Sequence, residues 1–277
     1  MASLIDAMTL REPPSRNALS EEEEGVAAEL RAARGGARPE LRLATPAPAQ
    51  ADLVLVALGA PLCEAALACF APATLHALGR GSGAGGVVCE LKMARAGAFC
   101  VVLVLFSGAQ PVPEEDACEW AEALLAALPG GGGHAARELV VLDGLSAARF
   151  QLEGRRARPP LVRCVAADAP ALAHCRSLGL VPLETGNLVT GLAAALLTEA
   201  RLCARRPARA LALLPLREAH LEKEALLAIV PPLVGLLAAA AREVAGGAAA
   251  LLPAPDVSAG VAKIRERRAI DRELMYV

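Results

Sequence analysis

The sequence predicts an α/β protein, a layered domain with helices packed on a mostly parallel sheet. Two observations carry this. Five short apolar runs, bounded by Gly, Ser, Asp and Pro, have the length and continuity of strands buried on both faces. Helical segments alternate with them, as crossovers between parallel strands require.

Residues 1–50 precede the first run and contain "SEEEEG", "RGGARPE" and "TPAPAQA", with few large apolar groups. Such a segment buries too little surface to offset its ordering entropy, so it reads as a disordered acidic tail; a recognition role for it is the alternative. The domain is expected over 51–250. Its strands are "DLVLVALG" from Asp52, "AFCVVLVLF" from Ala98, "ELVVLDG" from Glu138, "LVRCVAA" from Leu161 and "ALALLPL" from Ala210. Between the first two, "ATLHALGR" reads as helix and "VVCELKM" as strand. "EEDACEWAEALLAALPGGGG" reads as a helix with acids at its dipole-favoured start, Trp120, Leu124 and Leu128 on one face, and a proline–glycine stop. A second strong helix is expected from Asn187, over "NLVTGLAAALLTEARLC". Residues 251–277 form a proline-containing linker, "LLPAPD", then a helix with eight charges in the eleven residues Lys263 to Glu273, then the last residues, "LMYV".

Composition narrows the function classes. Of the 28 basic residues only three are lysine, and Asn occurs only at 17 and 187, a codon bias that robs arginine clusters and alanine runs of diagnostic weight. A net charge of −2 gives no electrostatic case for nucleic acid. The uncharged apolar stretch over residues 225–241 falls short of the roughly 20 residues a spanning helix needs, and Pro231 and Pro232 are expected to break it, so no membrane span is expected. Eight scattered cysteines without a CxxC pair fit reduced thiols and a cytoplasmic protein, with the nucleus or the surface of the endoplasmic reticulum also open.

No motif commits the chain to catalysis. "GSGAGG", Gly81 to Gly86, matches GxGxxG but has helix-like sequence before it and strand-like sequence after it, the reverse of a dinucleotide loop, and so reads as a flexible connection. There is no GxxxxGK[ST]. His76, His134, His174 and His220 lack metal-ligand spacing and read as surface or loop histidines; no metal or cofactor is expected. Gly186 and Asn187 could open an anion-binding helix N-terminus, but no positioned Arg or Ser completes a phosphate site. Asn187 therefore reads as a helix cap and Gly191 as a packing glycine.

The only tyrosine, Tyr276, stands between Met275 and Val277. With this composition a hydrophobic-Tyr-any ending arises by chance about 0.2% of the time, so the pattern calls for a physical reading. A mobile tail that inserts an aromatic anchor into a groove, with its carboxylate against a basic side chain, is that reading.

The tail resembles those by which proteasome activators and assembly chaperones dock between α subunits of the proteasome core particle. The chain from Asp52 to Val277 is similar to the proteasome assembly chaperones, most specifically at Leu183, Glu184, Asn187, Val189, Leu192, Ala194, Ala195 and Leu197 in "VPLETGNLVTGLAAALL". The "EEEE" run and "GAFCVVLVL" match in kind. Aromatic positions of the family are mostly Ala, Leu or Val here, and the middle of the chain is glycine-rich. The resemblance implies a three-layer α/β/α sandwich similar to the purine nucleoside phosphorylase-like fold, without catalysis. It also implies a heterodimer with proteasome assembly chaperone 2 that binds proteasome α subunits through Met275, Tyr276 and Val277 and promotes correct α-ring assembly. A nucleoside- or nucleotide-processing enzyme of the same fold, or the partner chaperone subunit, are the alternatives.

Overall fold

Strand β2 (Ala51–Leu58) pairs in parallel with β5 (Phe99–Phe106) on one side and with β6 (Ala136–Leu142) on the other, and β6 pairs in parallel with β9 (Arg209–Arg217). These are four of the five apolar runs read as strands. The computed structural model describes residues 38–44, 51–70, 74–83, 86–108, 110–127, 136–146, 150, 162–202, 207–217 and 222–244. Residues 1–37 and 45–50 of the expected acidic tail, and the segment from 245 to Val277 with its expected helix and docking residues, lie outside them.

The parallel centre alternates cleanly between two cores. Leu53, Leu55, Val101, Leu103, Val140, Leu142, Leu211 and Leu213 point to one face; Val54, Val56, Val102, Val104, Leu139, Val141, Ala212 and Leu214 point to the other. Because both faces are buried, the runs read as continuous apolar sequence. The first face is covered by α1 (Ala60–Cys69), α3 (Ala169–Ser177) and α5 (Glu222–Val244), the second by α2 (Ala117–Ala127) and α4 (Gly191–Leu202). The architecture is the three-layer α/β/α sandwich that the resemblance implied.

The sheet continues antiparallel on both sides of its parallel centre. β4 (Val88–Ala96) pairs with β5, β3 (Leu75–Ser82) with β4, and β1 (Glu40–Leu43) with β3. At the other side β8 (Val162–Ala166), the fifth expected strand, runs antiparallel to β9, while the short β7 (Leu145–Ser146) extends the line of β6 along β9.

Four local expectations are corrected. Glu40–Leu43, assigned by sequence to the tail, is an edge strand: Leu41 and Leu43 pack toward the second core while Glu40 and Arg42 face out. Four alternating residues are too few to register as a period. "ATLHALGR" is mostly strand β3, not helix, because pairing with β1 and β4 overrides local propensity. Gly79 belongs to that pairing: a Cβ there would stand 2.9 Å from the Cα of Leu43 and collide with the carbonyl oxygen of Arg42.

Helix α4 starts at Gly191, four residues later than expected. Asn187 lies before it, its side-chain amide donating to the carbonyl of Glu184 at 3.1 Å, and Gly191 meets no atom that a Cβ would strike. What Gly191 supplies is its φ of +62°, a left-handed conformation that suits glycine. Finally, α5 runs unbroken through Pro231 and Pro232. Pro231 faces solvent and Pro232 is half-buried, so water can reach the carbonyls that lack N–H partners. Ile229, Val230, Leu233, Leu236, Leu237 and Ala240 form the buried stripe of α5 against the sheet. By length and composition, Leu227–Val244 could cross a membrane; in this fold its apolar face is the cover of the first core.

Candidate functional site

The docking residues expected from sequence, Met275, Tyr276 and Val277, lie outside the described residues, as do His134, His220, Cys203 and Leu128. The described chain offers instead a glycine-rich hairpin, a cleft at one end of the sheet and a buried charge cluster at the other.

The hairpin accounts for "GSGAGG". Gly81 lies within β3 and Gly83 just beyond it, and both underlie the indole of Trp120 on α2. A Cβ on Gly81 would stand 2.6 Å from the Cys89 sulfur and 3.2 Å from the indole; one on Gly83 would stand 2.7 Å from it. Trp120 is fully buried and meets Phe106 edge to face, with ring centroids 5.2 Å apart. The glycines therefore make room for a ring. That corrects the expectation of a merely flexible connection and leaves no backbone cradle for a phosphate at Gly81 and Gly83.

The cleft, about 370 Å³, opens at the carboxyl ends of β6 and β9, where ligands bind in open α/β sheets. Asp143, Gly144, Leu145 and Ser146 form one wall, the segment Gly186 to Thr190 the other, with Leu214 at the base. The Asp143 carboxylate accepts from the N–H of Gly144 at 2.7 Å, which holds the turn from β6 into β7. The opposite wall is fixed by Glu184. Its carboxylate accepts from Arg163 Nε at 2.9 and 3.0 Å and lies 2.7 Å from Nη2, and this pairing holds it below the usual carboxylate range. The "VPLETGNLVTGLAAALL" segment thus serves both core and cleft. Leu183, Val189, Leu192 and Leu197 enter the second core, and Gly186 to Thr190 rim the cleft with Leu188 80% exposed. None of the described residues lining the cleft is Lys, Arg or His. It fits an apolar or neutral hydrogen-bonding group better than a phosphate.

The charge cluster sits on the first face, at the amino ends of β6 and β9. Glu138 is 0% exposed, with Oε1 3.4 Å from His174 Nε2 on α3 and Oε2 3.5 Å from Arg209 Nη2 on β9. Arg209 in turn donates twice to Glu243 on α5, at 2.8 and 2.9 Å. Desolvation pushes the Glu138 carboxyl up to about 7, partly opposed by Arg209. Desolvation and the same Arg209 charge lower His174, while Arg209 holds Glu243 below the usual carboxylate range. His174 is therefore a nearly buried helix residue in polar contact with Glu138, which corrects its reading as a surface or loop histidine. His76 is exposed on β3. Sequence reasoning passed over Glu138 as the start of one strand and left Arg209 just outside another. The legible signal was an acid and a base opening two neighbouring apolar runs, "ELVVL" and "RALALL".

Cys63, Cys69 and Cys89 are buried thiols pushed up to about 12 by desolvation, and the Cys175 thiol, hydrogen-bonded to Cys164, is pushed up as well. These are inert core groups, as the sequence suggested. No group of three or more His, Cys, Asp or Glu with metal-ligand geometry occurs among the described residues.

No family model matches the sequence, and no curated protein matches it. Solved structures do. The crystal structure of Pyrococcus furiosus PbaA, described as an archaeal homolog of proteasome-assembly chaperone, superposes with a TM-score of 0.52 at 16% identity, covering 85% of this chain and 95% of that one. Its monoclinic form gives a TM-score of 0.50 at 15% identity, covering 87% and 97%. An Arabidopsis thaliana 5'-methylthioadenosine nucleosidase in apo form covers 71% and 96% at 14% identity, with a TM-score of 0.43 too low to bear on the argument. Over most of its length, then, this chain shares the fold of the PbaA structures.

Proposed function

We propose that the chain is a non-enzymatic proteasome assembly chaperone in the role of proteasome assembly chaperone 1, paired with proteasome assembly chaperone 2. The heterodimer binds the α ring of the core particle and promotes its correct assembly in the cytoplasm, docking through Met275, Tyr276 and Val277. The observation that carries this reading is the fold shared with PbaA across 85% of the chain. The hydrophobic-Tyr-any run supports the docking mode. A nucleoside-processing enzyme is the second reading, favoured by the cleft at the carboxyl ends of the parallel strands. The lack of a basic group among its described lining residues weighs against a phosphorylated substrate.

The test is affinity of the purified chain, with its partner subunit, for isolated α rings or core particle. Tyr276→Ala removes the proposed anchor and is expected to weaken binding by about 2 kcal/mol or more, with the circular dichroism melt unchanged. Met275→Leu keeps an apolar group of similar size and is expected to bind as the parent does. Failure of the parent chain to bind proteasome subunits overturns the chaperone reading. Binding that survives Tyr276→Ala overturns the docking mode alone. Saturable nucleoside binding, abolished by Ser146→Trp in the cleft, would favour the enzyme.

A further inference from the structure

Glu138 is the anomaly of this core. Burying an ionised carboxylate is costly unless hydrogen bonds compensate, yet neither of its oxygens has a hydrogen-bond partner among the described residues. Nε2 of His174 and Nε of Arg209 are buried without partners too. Among the described residues the groups that face it are His174 from α3, Arg209 from β9, Glu243 from α5, and the nearby Cys175 thiol. On β2 its register partner is the apolar Leu53, and the nearby Arg137 pairs with Asp52 at 3.8 Å.

Arg209 carries one positive charge and is already committed to Glu243 by two hydrogen bonds. A second carboxylate, with neutral His174 and Cys175, would leave one uncompensated negative charge on a group that bulk solvent does not reach. One added proton removes that charge.

We propose that Glu138 is a protonated carboxylic acid in the folded chain, donating from Oε1 to Nε2 of His174, and that this proton is a pH-sensitive clasp fastening α3 and the last turn of α5 to the sheet. As an acid, Glu138 supplies the donor that His174 Nε2 lacks and frees Arg209 to serve Glu243. Glu243 is the penultimate residue of α5, so the clasp holds the carboxyl end of that helix against the sheet. Loss of the proton places two carboxylates around one guanidinium and weakens the tie of Arg209 to α5.

The direction with pH follows. A carboxyl raised from 4.5 to about 7 by burial binds its proton more tightly in the folded than in the unfolded chain. The stability it contributes is complete below the unfolded value and is lost as pH rises through about 7. His174, lowered by the same burial, acts oppositely: its contribution is present above 6.5 and is lost as pH falls.

The experiment compares the full chain with Glu138→Gln, whose amide can make the same donation but cannot ionise. Between pH 5 and pH 8 the parent is expected to lose about 5 °C or more of melting temperature relative to the variant. Amide hydrogen exchange over 238–244, corrected for its intrinsic pH dependence, is expected to accelerate at pH 8 in the parent alone. Carbon-13 and nitrogen-15 spectra of the parent, which need no variant to fold, are expected to show the Glu138 carboxyl titrating near neutrality while His174 Nε2 stays unprotonated. A Glu138 carboxyl ionised at pH 5.5 overturns the proposal. So does a parent-minus-variant melting difference that is flat across the range.

Discussion

Gly83→Ala tests whether the glycines of "GSGAGG" serve Trp120 or a ligand. The added methyl carbon would stand 2.7 Å from Cζ2, 2.9 Å from Cε2 and 3.0 Å from Nε1 of the indole. Relaxed carbon contacts lie at about 3.5–4.0 Å, so three ring atoms overlap the methyl at once. The ring has little room to yield. Trp120 is 0% exposed, with Phe106 against it and Gly81 beneath it. Gly83 is not among the residues with positive φ, so backbone strain does not enter. Overpacking of this kind costs about 1–3 kcal/mol, and at about 2–4 °C per kcal/mol in a chain of this size the melting temperature falls by roughly 2–12 °C. Trp120→Leu alone costs a further few kcal/mol by leaving a cavity. In the double variant the methyl occupies part of that cavity, and about 1 kcal/mol is expected back as a coupling energy. The assay is urea unfolding of the four proteins in a double-mutant cycle. A Gly83→Ala chain within about 0.5 kcal/mol of the parent, or strict additivity, refutes the packing account.

Two further expectations come from burial. In native-state labelling with a thiol reagent, Cys118 on the exposed side of α2 is expected to react within minutes, while Cys63, Cys69 and Cys89, with thiols pushed up to about 12, react only on unfolding; rapid labelling of any of those three would contradict the core placement. A chain beginning at residue 38 is expected to melt within a few degrees of the full chain, whereas one beginning at residue 45 loses β1 and the cover of Leu41 and Leu43 beside Trp120, at about 2 kcal/mol or more; equal melting of the two truncations would show that β1 contributes nothing.

The sequence by itself determined the layered α/β class, because strands buried on both faces must be continuously apolar. "DLVLVALG", "AFCVVLVLF" and "ELVVLDG" could be little else. It determined α2 as well, whose acidic start and apolar face at Trp120 and Leu124 are local signals. What only tertiary structure decided are features set by a neighbour distant in sequence. β3 is a strand because β1 and β4 hydrogen-bond to it, although "ATLHALGR" has helical propensity. Glu40–Leu43 is a strand because β3 offers an edge to four residues that encode no period of their own. Pro231 and Pro232 stay within α5 because the buried stripe before and after them packs on one sheet face, outweighing two missing N–H groups. The Glu138 cluster was least legible: four ionisable residues from separate elements meet at one end of two adjacent strands, and only the register of β6 against β9 brings 138 beside 209.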